Sequence, residues 1–193
     1  MMQKIVLASN NQGKLREFSQ ILAPLNISLH AQSEFNVPEA DEPFLTFVEN
    51  ALAKARHAAR LTGFPALADD SGLCVNALLG EPGVHSARYA GEPKSDSRNN
   101  QELIFKLESQ QDRSAYYYCV LVYVRSEFDP QPIIADGSWM GEIISEPRGE
   151  NGFGYDPHFW ISSLGKTAAE LPSELKNSLS HRGQALRCLL EKL

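Results

Sequence analysis

Apolar positions along the chain follow two periods. Ile5-Val6-Leu7-Ala8 is a continuous apolar run of the length that predicts a buried strand. From Lys14 to about Ala23, Leu15, Phe18 and Leu22 recur at three- and four-residue spacing, one helical stripe with Leu25 as a candidate extension past Pro24. Ile27 to Ala31 predicts a second strand. Thr46-Phe47-Val48-Glu49 has the spacing of a capping box and opens a helix that stops at Gly63. Leu45, Val48, Leu52 and Ala55 form its predicted apolar stripe, with Asn50 and Lys54 on a different face. After Pro65, Ala66-Leu67-Ala68 predicts a short strand ending in Asp69-Asp70-Ser71-Gly72, which places two carboxylates at a strand end, and Leu73 to Leu78 resumes in strand-like fashion. Gly80-Glu81-Pro82-Gly83 and Ala90-Gly91-Glu92-Pro93 bracket a loop containing Arg88 and Tyr89.

Ser95 or Asp96 caps a helix through Leu103, Ile104 and Leu107. Tyr116 to Val124, rich in β-branched and aromatic residues, predicts a central strand covered on both faces. Ile133-Ile134 and Ile143-Ile144 predict two strands separated by a segment containing Asp136-Gly137, and His158 to Ile161 a last one. A C-terminal helix from near Ser180 buries Ala185, Leu186, Leu189 and Leu190. Alternation of strands and helices predicts an α/β fold with at least one crossover connection. There is no repeat, low-complexity tract or linker, so residues 1–193 are read as a single domain.

Composition narrows the function. A chain of 193 residues with 42% hydrophobic side chains can bury a core without disulfides or a structural metal. A formal charge of -6 gives no general attraction for nucleic acid or anionic membranes, so neither is an expected partner. Cys74, Cys119 and Cys188 lack the paired spacing of zinc sites and are expected as reduced core residues. The N-terminal apolar run is too short for a signal peptide, and no eighteen-residue apolar run occurs; a cytoplasmic location is expected.

Four segments could carry chemistry, each with a plainer alternative. Ser9-Asn10-Asn11-Gln12-Gly13-Lys14, between a strand and a helix, would offer backbone N–H groups, a helix dipole and a lysine to phosphate, or serve as an ordinary polar cap. It has neither the P-loop nor the dinucleotide glycine spacing. Asp69-Asp70-Ser71-Gly72, with Glu39, Asp41 and Glu42 in an earlier loop, would suit magnesium, which takes one or two protein carboxylates and substrate phosphates for the remainder, or form a turn. Phe153-Gly154-Tyr155-Asp156-Pro157 would stack an aromatic on a purine, or turn tightly with its aromatics in the core. Ser180-His181-Arg182, with Lys176 one turn upstream, would donate to purine oxygens or phosphates, or cap a helix. Asp70-Ser71-Gly72 is no nucleophile elbow, and the five histidines form no metalloprotease pair.

Taken in order, and together with Thr46 to Arg56, Pro82 to Tyr89 and Lys166 to Leu171, these segments resemble the inosine/xanthosine triphosphate pyrophosphatases, the RdgB-like house-cleaning enzymes, along essentially the entire chain. The resemblance implies an elongated α/β fold of two lobes around a long mixed β-sheet with flanking helices, a triphosphate in the cleft, and a homodimer. It implies hydrolysis of non-standard purine nucleoside triphosphates (ITP, dITP, XTP) to the monophosphate and pyrophosphate, with Mg2+. By position, Asp70 would activate the water. Glu42 and Asp70 would hold magnesium, with Asp69 in support and Asp41 the alternative to Glu42. Phosphate-side contacts would be Ser9, Asn10, Asn11, Gln12, Gly13, Lys14, Lys54 and Ser71. Base-side contacts would be Phe153, Gly154, Tyr155, Asp156, Lys176, His181 and Arg182. One departure is Asn10, where the family often has glycine; asparagine tolerates the left-handed backbone better than most residues. A pyrophosphatase for modified pyrimidine nucleotides, a non-catalytic nucleotide-binding regulator and a purely structural module are the rival readings.

Overall fold

The computed structural model describes residues 3–22 and 27–193. The predicted helix end at Ala23 and its extension through Pro24 and Leu25 lie outside the described residues. The elements are β1 (Gln3–Leu7), α1 (Gln12–Leu22), β2 (Ile27–Ala31), α2 (Phe47–Thr62), β3 (Ala66–Val75), α3 (Asp96–Leu107), β4 (Ser114–Val124), β5 (Ile133–Ile143), β6 (Phe159–Ile161), β7 (Lys166–Thr167), α4 (Ser173–Leu179) and α5 (His181–Leu190). The strands form one sheet in the order β2-β1-β3-β4-β5-β6-β7. β1 runs parallel to β2 and to β3, whereas β6 is antiparallel to β5 and β7, so the sheet is mixed and the fold α/β, as predicted.

Contacts divide the chain into two compact units. The first comprises Met1–Asp70, Cys119–Asp136 and Ala185–Leu193. Its core joins Ile5, Leu7 and Leu67 of the strands to Phe18 and Leu22 of α1, Cys119, Leu121 and Tyr123 of β4, and Ala185, Leu186 and Leu189 of α5. Burying a side chain of the size of Phe18 or Leu22 contributes roughly 1.5–3 kcal/mol. The α2 boundaries follow the capping signals: Thr46 accepts the Glu49 N–H, its hydroxyl donates to the Glu49 carboxylate, and Gly63 closes the helix at φ 70°. The predicted stripe on this helix is corrected. Leu45 is exposed and Val48 and Leu52 only half-buried, while Asn50, Ala51, Ala55, Ala58 and Ala59 are buried. Alanines let the helix approach its neighbours closely, which a leucine face would prevent.

The second unit comprises Ser71–Tyr118 and Gly137–Gln184. Leu73 and Val75 of β3, Leu103 and Leu107 of α3, Ala115 and Tyr117 of β4, Trp139 and Ile143 of β5, Phe159 and Leu171 build its core. Tyr117 and Trp139 both pack on the Phe159 ring, at centroid distances of 4.6 and 5.4 Å.

Three strand expectations change. The residues 66–68 and 73–78 read as separate pieces form the single strand β3, which ends at Val75, and Asp69 and Asp70 stand in its middle, not at its end. The pieces at Ile133 and Ile143 likewise join into β5, because buried residues alternate through Ala135, Gly137 and Trp139. β4 is fully covered from Cys119 onward; Tyr116 and Tyr118 are half-buried. The short α4 was not predicted, having no buried residue to create a stripe. The cysteines are free; Cys74 and Cys119 are buried, as expected, whereas Cys188 is only half-buried at the edge of the first core.

Candidate active site

In the first unit, two carboxylates converge on one lysine. Lys54 donates to Glu42 Oε1 at 2.6 Å and to Asp70 Oδ1 at 3.1 Å. Asp70 lies on β3, Lys54 two turns into α2, and Glu42 in the acidic loop that precedes α2. Asn50 explains why the loop returns there. It is buried inside α2, accepts the Phe44 N–H at 3.1 Å and donates to the Phe44 carbonyl at 3.2 Å, which anchors the chain two residues after Glu42. The sequence places Asn50 with Lys54 on a face apart from the apolar stripe, and the signal for its burial is an amide among the alanines of α2.

Asp69, the next residue along the strand, has its own partner: Lys14 donates to Asp69 Oδ1 at 3.0 Å. Adjacent strand residues point to opposite faces, so the paired acids divide between two lysines. Among the described residues no three His, Cys, Asp or Glu side chains form a metal cage. The remaining oxygen of Asp70, Oδ2, is buried with no hydrogen bond among the described residues. A hard cation bound by one or two carboxylates and completed by phosphate and water oxygens requires no cage, and an unshared buried carboxylate oxygen beside Glu42 fits it.

Electrostatics reflect this crowding. Burial raises the Asp70 carboxyl, Lys54 opposes the rise, and the negative charges of Glu42 and Asp69 add to it; the balance lies above the ordinary carboxylate value. For Lys54, burial works against the charge, but Asp70, Asp69 and Glu42 outweigh it and raise its affinity for the proton. Lys54 is therefore held as an ammonium among acids.

The turn before α1 shows the capping alternative at work. Asn11 Oδ1 accepts the N–H groups of Gly13 at 2.8 Å and Lys14 at 3.1 Å, so its own side chain occupies two of the free amides at the helix start. Asn10 is not left-handed: among the described residues, Asn36 and Leu79 are the non-glycine positions with positive φ. The exposed residues 10–13 and the half-buried Ser9 and Lys14 lie at this end of α1.

The base-side candidates and Ser71 lie in the second unit, where Asp156 gathers Phe153 and Lys176. This buried carboxylate accepts from the Tyr117 hydroxyl at 3.2 Å and the Phe153 N–H at 2.9 Å, and is ion-paired to Lys176. The same ammonium stands 4.7 Å from the Phe153 ring centroid. Phe153 is 63% exposed, while Tyr155 is 4% exposed and donates to the Ser86 carbonyl at 2.8 Å. The two aromatics thus divide the roles predicted for them jointly: Phe153 offers a ring to solvent, and Tyr155 belongs to the core. At the start of α5, His181 stacks on Tyr117 with 13° between the rings. Arg182 reaches Ser71 Oγ over a long 3.4 Å. Sequence reasoning placed Tyr117 only in a central strand, and nothing in its local pattern marks the contact with Asp156 or His181.

The chain matches the Ham1 family over residues 5–192. It belongs to that family. Among curated relatives, the dITP/XTP pyrophosphatase of Nitrosomonas europaea is 64% identical over 192 residues, spanning 100% of this chain and 95% of that protein. The dITP/XTP pyrophosphatase of Ralstonia nicotianae is 63% identical, spanning 100% and 97%. Among solved structures, a HAM1 protein from Coxiella burnetii superposes with a TM-score of 0.96 at 51% identity and covers 100% of both chains. The family match runs through every segment that carried the resemblance. Of the Ham1 residues named from sequence, the fold brings Glu42, Lys54 and Asp70 together, pairs Lys14 with Asp69, and clusters Phe153, Asp156 and Lys176. No helix among the described residues is long and apolar enough to cross a membrane.

Proposed function

We propose that this protein is a dITP/XTP pyrophosphatase, hydrolysing non-standard purine nucleoside triphosphates, ITP among them, to the nucleoside monophosphate and pyrophosphate. The observation that carries the reading is the Glu42–Lys54–Asp70 arrangement, in which Asp70 keeps a buried oxygen without a hydrogen bond among the described residues. Asp70 and Glu42, with Asp69 in support, would hold Mg2+, which when bound supplies charge neutralisation for the triphosphate. Asp70 orients a water for in-line attack at the α-phosphorus. Lys14, Lys54, Ser71 and the residues from Ser9 to Gly13 bind phosphate oxygens. Phe153 stacks on the purine, with Gly154, Tyr155 and Asp156 shaping that turn. His181, Arg182 or a backbone N–H donates to an oxo group at purine position 6, where an amino group would leave donors unpaired, and Lys176, paired with Asp156, completes the base side. A cytoplasmic homodimer without nucleic-acid or membrane partners completes the reading.

Pyrophosphate release from inosine, xanthosine, guanosine and adenosine triphosphates, with and without magnesium, tests it. Turnover of inosine and xanthosine triphosphates much faster than that of adenosine triphosphate, dependent on magnesium and lowered on the order of 10²-fold or more in Asp70→Asn, is the expected result. Equal rates on all four bases or an active Asp70→Asn variant would overturn it. Gel filtration reads the dimer.

A further inference from the structure

The Phe153 ring is exposed, yet the backbone that carries it is held at every polar group from the Phe153 N–H to the Gly154 carbonyl. Asp156 accepts the Phe153 N–H at 2.9 Å, and its own N–H donates to the Phe153 carbonyl at 3.3 Å. The other two bonds come from α3. Asp96 Oδ2 accepts the Gly154 N–H at 2.7 Å, and Asn100 Nδ2 donates to the Gly154 carbonyl at 2.8 Å. Asp96 and Asn100 are four residues apart, on one face of the helix, and take both hydrogen-bonding groups of a glycine whose φ of +63° leaves its chain without intrinsic preference for this shape. The Asn100 amide orientation is fixed by chemistry, since only its NH₂ can bond a carbonyl.

We propose that Asp96 and Asn100 are positioning residues for the purine base. They fix the two peptide planes that follow the Phe153 ring, so that the ring meets the base with its orientation already set and little is lost in ordering it on binding. The inference rests on the reading that Phe153 lies on the base side. The plainer account of Asp96 is that an acid in the first turn of a helix favours the dipole; that role requires its charge, whereas holding Gly154 requires only an acceptor oxygen.

Steady-state hydrolysis of inosine and adenosine triphosphates by the full chain separates these roles. Asp96→Ala and Asn100→Ala should each raise KM for inosine triphosphate on the order of tenfold, the effect of one lost hydrogen bond, with kcat changed less than about twofold. Asp96→Asn keeps the acceptor and should restore KM. In a Phe153→Ala background, Asp96→Ala should add nothing further, because both act through the same ring. Asp96 is exposed, so its variants should fold. An unchanged KM in Asp96→Ala, an Asp96→Asn variant as impaired as Asp96→Ala, or a full additional loss in the Phe153→Ala background would each overturn the inference. A wild-type protein inactive on purine triphosphates would instead sink the functional reading beneath it.

Discussion

The rings of Tyr117 and His181 lie nearly parallel, 13° apart, with their centroids separated by 4.9 Å. Tyr117 thereby joins two sequence-distant candidates, because its hydroxyl donates to Asp156 at 3.2 Å while its face supports His181. Burial, with the neighbouring Asp156 charge, raises the Tyr117 phenol well above its ordinary value and keeps it a neutral donor.

Tyr117→Phe and Tyr117→Leu should separate the two contacts. The first removes only the hydroxyl and should cost about 1.5–3 kcal/mol, the range for a hydrogen bond to a charged group. The second also abolishes the stacking on His181 and Phe159 and should cost about 3–5 kcal/mol. Urea unfolding of both variants is the check; equal losses would mean that the stacking contributes nothing.

Lys54 holds Glu42 and Asp70 together, and both pull its proton affinity upward against burial. Lys54→Met should leave the two acids facing each other without a cation. The Glu42 side chain is 31% exposed, which brings the cost below that of breaking a fully buried pair, to about 2–3 kcal/mol. Millimolar magnesium should then raise the melting temperature of Lys54→Met more than that of the wild type, since the freed carboxylates gain a ligand. A variant as stable as the parent, or one blind to magnesium, contradicts this account.

The parts of this molecule legible in its sequence were those with a local cause. Thr46, Glu49 and Gly63 delimit α2 because capping depends on residues within one turn. β2 was located to the residue, Ile27–Ala31. What escaped depends on partners distant in the chain. Asp69 and Asp70 looked like strand-end residues because two adjacent acids do not belong inside a buried strand unless something neutralises them, and Lys14 and Lys54 come from helices 55 and 16 residues away. The same reason hid the separation of Phe153 from Tyr155: a turn of alternating glycines and aromatics does not tell which ring enters the core. Asp96 was legible as a helix cap candidate, but not as a partner of Gly154, 58 residues later.

Acid should reveal a different carboxylate. Asp129 is hydrogen-bonded by the Arg125 side chain at 2.6 and 2.9 Å and accepts the Arg125 and Gln131 N–H groups at 2.9 and 3.0 Å. The Arg125 side chain first, then its backbone N–H, holds the Asp129 carboxyl well below the ordinary value of 3.8. The unfolded chain takes up this proton near the ordinary value and the folded chain only at much lower pH. The stability it contributes is complete above that value and is lost as pH falls from about 4 toward the folded value. Urea midpoints of wild type and Asp129→Asn should differ at pH 7 and converge below about pH 4; a gap that persists unchanged to pH 2 excludes the charge as its source.

Glycines should divide by what surrounds them. A Cβ at Gly72, in β3, would stand 2.2 Å from the Gly83 carbonyl oxygen and 2.5 Å from Ser86 Oγ. That hydroxyl donates to Gly83 at 2.6 Å and accepts the Leu73 N–H at 2.9 Å, so the methyl group would strike backbone and break the bonds that seat the 83–88 turn against the strand. Gly80 has a φ of +92° but open space around it. Gly72→Ala should therefore cost on the order of 2–4 kcal/mol through overpacking and lost hydrogen bonds. Gly80→Ala should cost about 1 kcal/mol, from backbone strain alone. Thermal unfolding of the two variants decides the matter: if Gly80→Ala proves the more damaging, backbone conformation and not close approach is the stronger constraint on these glycines.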